Sequence, residues 1–543
     1  MVLSSGSFDS GGVVLENGGT LQIDDTAMPS VTISGFDVRD TIVLGGVAYD
    51  GAGSATLPSG NMLAITESGQ TYDLQLDPNH NFGGEAFSLS PDPVSGTDVT
   101  VVGTVVSSGS IRYVGGTTSD TTLSGGTQVV FGTADDTAID SGGTQDVVAG
   151  GAASGTTVSS GGTQYAAGTA SGTTVSGGTQ VVFGSAAGTT IDSGGAQDVA
   201  SGGTASGTAV SSGGTQYDAG AASGTTLSGG TEVVFGSAAG TTIASGGTQQ
   251  VVAGGTTSDT TVSSGGTQYD AGTASNTTLS GGTQVVFGSA ANTTVDNGGT
   301  QDVVAGGMAT GTTVSSGGLQ NDAGSAIGAT LSGGTQVVFA SATSTTVDSG
   351  GIESVAAGGT ASGTTVSTGG IQYDAGTAIS TTLSGGVQAV YGSAAGTTID
   401  SGGYEVALSG GTVGGATISG GTLELQSGST AGNSTITFAG GGTLKLDAAG
   451  AYGFLVAGFA VPDAFDLSSI NFASATKGYM GNTSSGTLTV NDGTHSASIL
   501  LLGNYTAASF NLGKEGGGGT GTVVTNLPPA NGGASQLTTP PHG

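Results

Sequence analysis

Asp140, Asp192, Asp296, Asp348 and Asp400 stand at one position of a recurring phrase, read at 177–195 as GGTQVVFGSAAGTTIDSGG. Carboxylates in a column raise two chemistries: ligation of a hard cation such as Ca2+, and acid–base work on a glycosidic bond. Both need two carboxylates within a few ångströms of each other. This column breaks at Ala244 and its members recur no more often than every 52 residues. A partner must therefore come from another column, such as Asp146, Asp198 and Asp302. Asp135 and Asp136 are the one adjacent acidic pair of the repeat region, at a place where other copies read SAAG or similar. They are the candidates for a hydrolase reading.

The stronger signatures are missing. There is no G-G-x-G-x-D-x-U-x calcium nonapeptide and no EF-hand loop. His80, His495 and His542 are far apart in sequence and show no zinc or triad spacing. A lyase needs a base and charge stabilisation of an enolate. The basic residues are Arg39, Arg112, Lys445, Lys477 and Lys514, with none between 113 and 444. No catalytic, cofactor-binding or metal-ligating residue is assigned, and no cofactor is expected beyond weak Ca2+ on surface acids. The Asp column reads as a solvated acidic stripe that keeps molecules apart.

The elements that carry these acids come from a repeat. Of 543 residues, 111 are glycine and 8% are charged, against roughly 7% and about 25% in ordinary domains. Phe131, Phe183, Phe235, Phe287, Phe339 and Tyr391 are spaced by 52 residues, as are Tyr113, Tyr165, Tyr217, Tyr269, Asn321 and Tyr373. Gly-Gly pairs at 125, 142, 161 and 177 divide each unit into steps of 17, 19 and 16 residues, a cadence that runs to the pair at 402. Each step holds short β-branched runs between glycine turns, and no stretch shows the 3.6 period of an apolar helix. One such step cannot bury its apolar face, whereas stacked steps can. The fold expected is an all-β solenoid of about eighteen coils, counting the step at Gly109-Ser110.

Three residues after the first glycine of each pair stands an amide or an acid. The amides are Gln128, Gln145, Gln164, Gln180, Gln197, Gln216, Gln249, Gln268, Gln284, Gln301, Gln320, Gln336, Gln372 and Gln388. Glu232, Glu353 and Glu405 fill the remaining places. Stacking sets these side chains one above another as a hydrogen-bonded structural ladder. The alternation puts Ile191 inside and Thr190 and Asp192 outside, but leaves open which way the ladder faces.

The phrase TAVSSGGTQYDAGAASGTTLSGGTEVVFGS at 208–237 resembles the AIDA-type strand-loop-strand repeat of bacterial autotransporter passenger domains. The resemblance covers residues 100–440. It implies a right-handed parallel β-helix and a role in adhesion, self-association or biofilm formation. The chain departs from that family's pattern in showing no N-terminal signal and no C-terminal run of barrel strands.

The ends differ from the repeats and resemble each other. ISGFDVRDTIVL at 33–44 parallels VAGFAVPDAFDL at 456–467. The expected organisation is an N-terminal β module or cap over 1–99, a solenoid over 100–440, a C-terminal β module or cap over 441–527 and a disordered tail over 528–543. The C-terminal module also resembles the ends of acidic, cysteine-free proteins exported by type I secretion, which implies a non-Sec route. A formal net charge of −33 disfavours nucleic acid and anionic membranes, and no apolar run is long enough to span a bilayer. The functional reading is a secreted or cell-surface structural protein of a bacterium that meets its own kind, or cell-surface and matrix glycans. It would do so through a low-charge face of Thr, Ser, Gly, Tyr and amides. The alternative is a polysaccharide-active β-helix hydrolase using solenoid carboxylates, for which Asp135 and Asp136 are the off-repeat pair to test.

Overall fold

The computed structural model describes residues 2–3, 11–15, 18–37, 40–80, 82, 85–94, 96–102 and 104–527. The tail 528–543 with His542, and Arg39, lie outside the described residues.

One turn shows how the repeat becomes structure. Strands Thr174–Ser176, Thr179–Val182 and Ser185–Ala187 form three sides. A pleated strand alternates its side chains, so Val175, Gln180, Val182 and Ala186 are buried while Thr174, Ser176, Val181 and Ala187 face out. The next turn repeats the plan in parallel and in register: Val175 pairs with Ile191, Gln180 with Gln197 and Ala186 with Ala205. A register slip of one residue would turn every buried side chain outward, so like residues are held above like. The first sheet fills the interior with Leu, Ile and Val, as in the cluster Val106, Leu123, Ile139, Val158 and Val175. The third sheet contributes alanines such as Ala134 and Ala153, which pack against Val130 and Val147 of the second.

The chain divides into two compact units inside the repeats, one of residues 1–261 with 265–268 and the other of 262–264 with 269–543. The division does not fall near residues 99 or 440. In the first unit the third sheet has nine strands, from Thr117–Ser119 to Thr256–Ser258. In the second it again has nine, from Thr273–Ser275 to Thr412–Val413. Parallel turns continue beyond these. Ala416–Ser419, Thr435–Phe438 and Gly450–Ala457 stack in the first sheet of the second unit, and Val2–Leu3, Thr20–Ile23 and Thr41–Leu44 stack in the first unit. The turn count therefore exceeds the expected eighteen. Pairs at Gly18-Gly19, Gly420-Gly421 and Gly441-Gly442 precede strands of these extra turns, but Leu21, Leu423 and Leu444 stand where the counted turns have Gln or Glu.

The two ends share one strand plan. In the N-terminal part, Thr41–Leu44 pairs antiparallel with Thr97–Val102, which pairs with Ala86–Pro91. Between them lies the antiparallel group Ser54–Thr56, Met62–Glu67 and Gln70–Gln75. In the C-terminal part, Ala464–Leu467 pairs antiparallel with Thr522–Asn526, which pairs with Phe510–Lys514. Between them lies the antiparallel group Thr476–Gly481, Ser485–Asn491 and Ser496–Leu502. Buried Asp40 accepts from the Asp37 backbone N–H (3.1 Å), and buried Asp463 accepts from that of Ala460 (2.6 Å). Antiparallel hairpins beside the first and last parallel turns cover backbone groups that an open solenoid would expose.

The Gly-Gly pair has two separate causes. Gly194 has φ +78°, a left-handed turn that strains other residues. At Gly195 a Cβ atom would sit 2.3 Å from the carbonyl oxygen of Val175 in the turn before. Gly195→Ala is therefore expected to lower stability by about 1–3 kcal/mol through a forced backbone shift, whereas Ser193→Ala stays within about 0.5 kcal/mol. Denaturant melts of the two variants check this.

Candidate functional site

The amide column lies in the interior, fully buried in both units. Gln180 shows the accounting. Its Nε2 donates to Gln164 Oε1 (2.7 Å) and to Thr173 Oγ1 (3.1 Å). Its Oε1 accepts from Thr189 Oγ1 (3.1 Å) and Gln197 Nε2 (2.7 Å). A side-chain amide has two N–H donors and two acceptor sites, so every valence of this buried group is met. The links run on from Gln145 to Gln128 (2.9 Å) and from Gln164 to Gln145 (2.7 Å). The threonines come from the first position of each Thr-Thr pair, which the turn directs inward. Thr173 also donates to Gln164 Oε1 (3.2 Å). With the amides inside, they form no part of an outer binding face, contrary to the expectation that such a face would use them.

The ladder changes character where the phrase ends in Asp. Asp218, Asp270, Asp322 and Asp374 recur every 52 residues, two places after a ladder glutamine, and are fully buried. In the second unit the next glutamine turns to the acid: Gln284 donates to Asp270 (2.6 Å), Gln336 to Asp322 (2.6 Å) and Gln388 to Asp374 (2.7 Å). Glu232 accepts from Gln249 (2.6 Å) and Glu353 from Gln372 (2.8 Å). Among the described residues no cation pairs with these groups, and burial penalises their charged form. Burial pushes Asp270, Asp322, Glu353 and Asp374 up to about 7 and Glu405 to about 8. Asp218, buried and beside Glu232, rises to about 9. Glu232 is raised by burial as well, so the pair holds a proton between them. This acid column escaped the sequence reading. Its signal was present in the phrase TQYD, where Gln and Asp two residues apart must share one face of a strand.

The acids singled out in the sequence lie at the surface. Asp192 is partly exposed, and its carboxylate accepts from Ser176 Oγ (3.1 Å). Asp296 and Asp348 accept likewise from Ser315 and Ser367, each at 3.3 Å. Asp135 accepts from Ser154 Oγ. Asp136 has φ +49° and occupies the left-handed corner that is Gly155 or Gly172 in the following turns. Asp tolerates that conformation better than most residues, which explains the departure from SAAG. Among the described residues no group of three or more His, Cys, Asp or Glu is placed to hold a metal ion. No helix among them is long and apolar enough to cross a membrane.

The aromatic columns that revealed the repeat face solvent. Tyr165 and Tyr217 are outward on the second sheet, and Phe183 and Phe235 stand more than half exposed at its corner. Tyr113 of one turn and Phe131 of the next have ring centroids 6.5 Å apart.

Stacked, in-register turns and a self-satisfied amide core define a repeat protein of the β-solenoid class. Residues 128–178 match the family model described as "Adhesin of bacterial autotransporter system, probable stalk". The TibC-catalyzed hyper-glycosylated TibA fragment is similar at 34% identity, over 56% of this chain and 96% of that one, with a TM-score of 0.35. The chain belongs to this AIDA-type adhesin family. Its role is structural and adhesive, outside the bacterial cell or on its surface. A tailspike of Acinetobacter baumannii bacteriophage AP22, in complex with A. baumannii capsular saccharide, matches at 8% identity over 90% of this chain and 77% of that one (TM-score 0.11). A tailspike of Pseudomonas phage LKA1 matches at 11% over 96% and 89% (TM-score 0.10). Neither likeness bears on fold or function. No curated protein matches the chain.

Two outcomes follow from the core. Gln180→Leu leaves its four partners short of a bond and is expected to cost about 2–5 kcal/mol, whereas Asp192→Asn costs under about 0.5 kcal/mol; urea titration compares them. The buried acids have folded pKa values above their unfolded ones. Their stabilising contribution is thus complete below about pH 4 and is lost as the pH rises toward 7 to 9. Melting temperature is expected to fall across that window. Asp270→Asn with Asp374→Asn should raise Tm near pH 8 and leave it nearly unchanged near pH 4; a fall that both proteins share equally would assign the effect to surface charge.

Proposed function

We propose that the chain is the stalk of a bacterial surface adhesin that holds cells to one another or to matrix glycans through its low-charge outer face, without a catalytic step. The observation that carries this reading is the partition of polar groups. Amides and seven carboxyls are spent inside the turns, whereas the outer positions of the repeat hold mostly Thr, Ser, Ala, Val and aromatics. A face of that kind makes many weak contacts of hydrogen-bonding and apolar type, which sum along a repeat. Export by a non-Sec, type I-like route belongs to the same proposal, on the resemblance of residues 441–527 to type I-exported ends.

Display of the chain on a non-clumping bacterial host tests the adhesive role. Sedimentation of the displaying cells, or their retention on a biofilm matrix, is expected to rise several-fold over a host displaying an unrelated β-solenoid. Equal sedimentation and equal retention would remove the reading. Release of reducing sugar from a polysaccharide panel would instead favour a hydrolase.

A further inference from the structure

The aromatic column has a chemistry of its own. On the outer face of the second sheet, Tyr165 pairs in register with Val181, Val181 with Asp198 and Asp198 with Tyr217. At the adjoining corner Phe183 and Phe235 are 53% and 52% exposed. In the second unit Val285 pairs with Asp302 and Asp302 with Asn321, and the corner carries Phe287 and Phe339, 51% and 53% exposed. There the columns enclose a shallow groove of about 400 Å³ lined by Val285, Asp302, Val304, Asn321, Ala323 and Phe339. Asn321 Nδ2 donates to Asp302 (2.8 Å) and holds the carboxylate toward this surface. In the first unit Asp146 and Asp198 hold this place three turns apart, about 14 Å at ~4.8 Å per turn, each paired with a tyrosine of the next turn; in the second unit Asp302 holds it, and Ser354 stands three turns on.

Exposed aromatics repeated at a constant step, with carboxylates beside them at Asp146, Asp198 and Asp302, call for a polymer with an apolar face and positive charge. Ammonium groups are attracted both to the carboxylate and to the ring faces. Sugar rings present a flat C–H face to an aromatic side chain and repeat along a chain. Charge decides between occupants. The protein carries a formal −33 and has no Lys or Arg between 113 and 444. A polyanion would meet the carboxylates of Asp146, Asp198 and Asp302 with no cation of this face to offset them. We infer that the aromatic–aspartate face of the second sheet binds linear polysaccharides bearing free amino groups. This rests on the adhesin reading and names the partner of its outer face.

The probe is soluble chitosan, with N-acetylated chitin oligomers and alginate as comparators, titrated against the intact protein at physiological salt. Chitosan should bind, the acetylated oligomers at least about tenfold more weakly, and alginate not at all. Two variants alter outward-facing side chains, the exposed phenylalanines and the half-buried aspartates: Phe183→Ser with Phe235→Ser, Phe287→Ser and Phe339→Ser; and Asp198→Asn with Asp302→Asn. Each should lose about tenfold in affinity, while Asp192→Asn with Asp348→Asn, the same charge change off this face, should not. Absent chitosan binding overturns the inference. So does an aromatic variant that binds like the wild type, or a control pair that weakens binding as much as Asp198→Asn with Asp302→Asn, since either means attraction to bulk negative charge. Far-UV circular dichroism confirms that each variant is folded. Loss of this inference with clumping retained leaves the adhesin reading intact; chitosan binding without clumping or retention removes that reading alone.

Discussion

The structure depends on an interaction that no single turn can make. A glutamine amide sealed in an apolar interior costs free energy unless both N–H groups and both acceptor sites are used. Gln180 meets this demand with the amides above and below it and with two threonines. Each turn therefore both needs its neighbours and completes them. Apolar burial makes stacking favourable, but the amide column makes it specific. A turn displaced by one position would leave a string of orphaned polar groups instead of a merely imperfect fit.

The same seam accounts for the buried acids. A carboxyl at the place of Val182 or Val199 would be isolated in most cores. Beside the ladder, Asp270 and Asp374 find an amide donor from the next turn. The donor lessens the cost of burial but supplies no positive charge, so the carboxyls keep their protons well above the usual carboxylate range. The formal charge thus overstates what these turns carry near neutrality. The interior is polar in bonding and close to neutral in charge, which suits a stalk built of small residues with little apolar area per turn.

Outside, the chemistry is divided by sheet. Ser–Asp contacts such as Ser176 with Asp192 join neighbouring turns across the first sheet. The second sheet and its corner carry the aromatics and Asp198. Alanine fills most inward places of the third, as at Ala186 and Ala205. Because turns stack in register, one favourable residue becomes a column, and a column becomes a surface. An adhesive role fits this economy, since weak contacts gain strength by repetition.

The 52-residue period, the Gly-Gly cadence and the alternation in TTI were enough to read an all-β solenoid, because stacking turns a linear repeat directly into geometry. They were also enough to align Gln128 with Gln145 and its successors. They did not tell inside from outside for the ladder. Amides are compatible with either face, and only closure of the three sheets decides which side is sealed. The same limit hid Asp218, Asp270, Asp322 and Asp374, whose burial follows from sharing a strand face with glutamines already committed to the interior. The tyrosines were already expected on an outer face, whereas the phenylalanines were only markers of register until the sheets placed them at the same surface. Asp192 shows the converse. Its spacing drew attention as possible chemistry, yet the strand places it beside Ser176 at the surface, because alternation along Thr190–Ile191 assigns the inward position to the isoleucine.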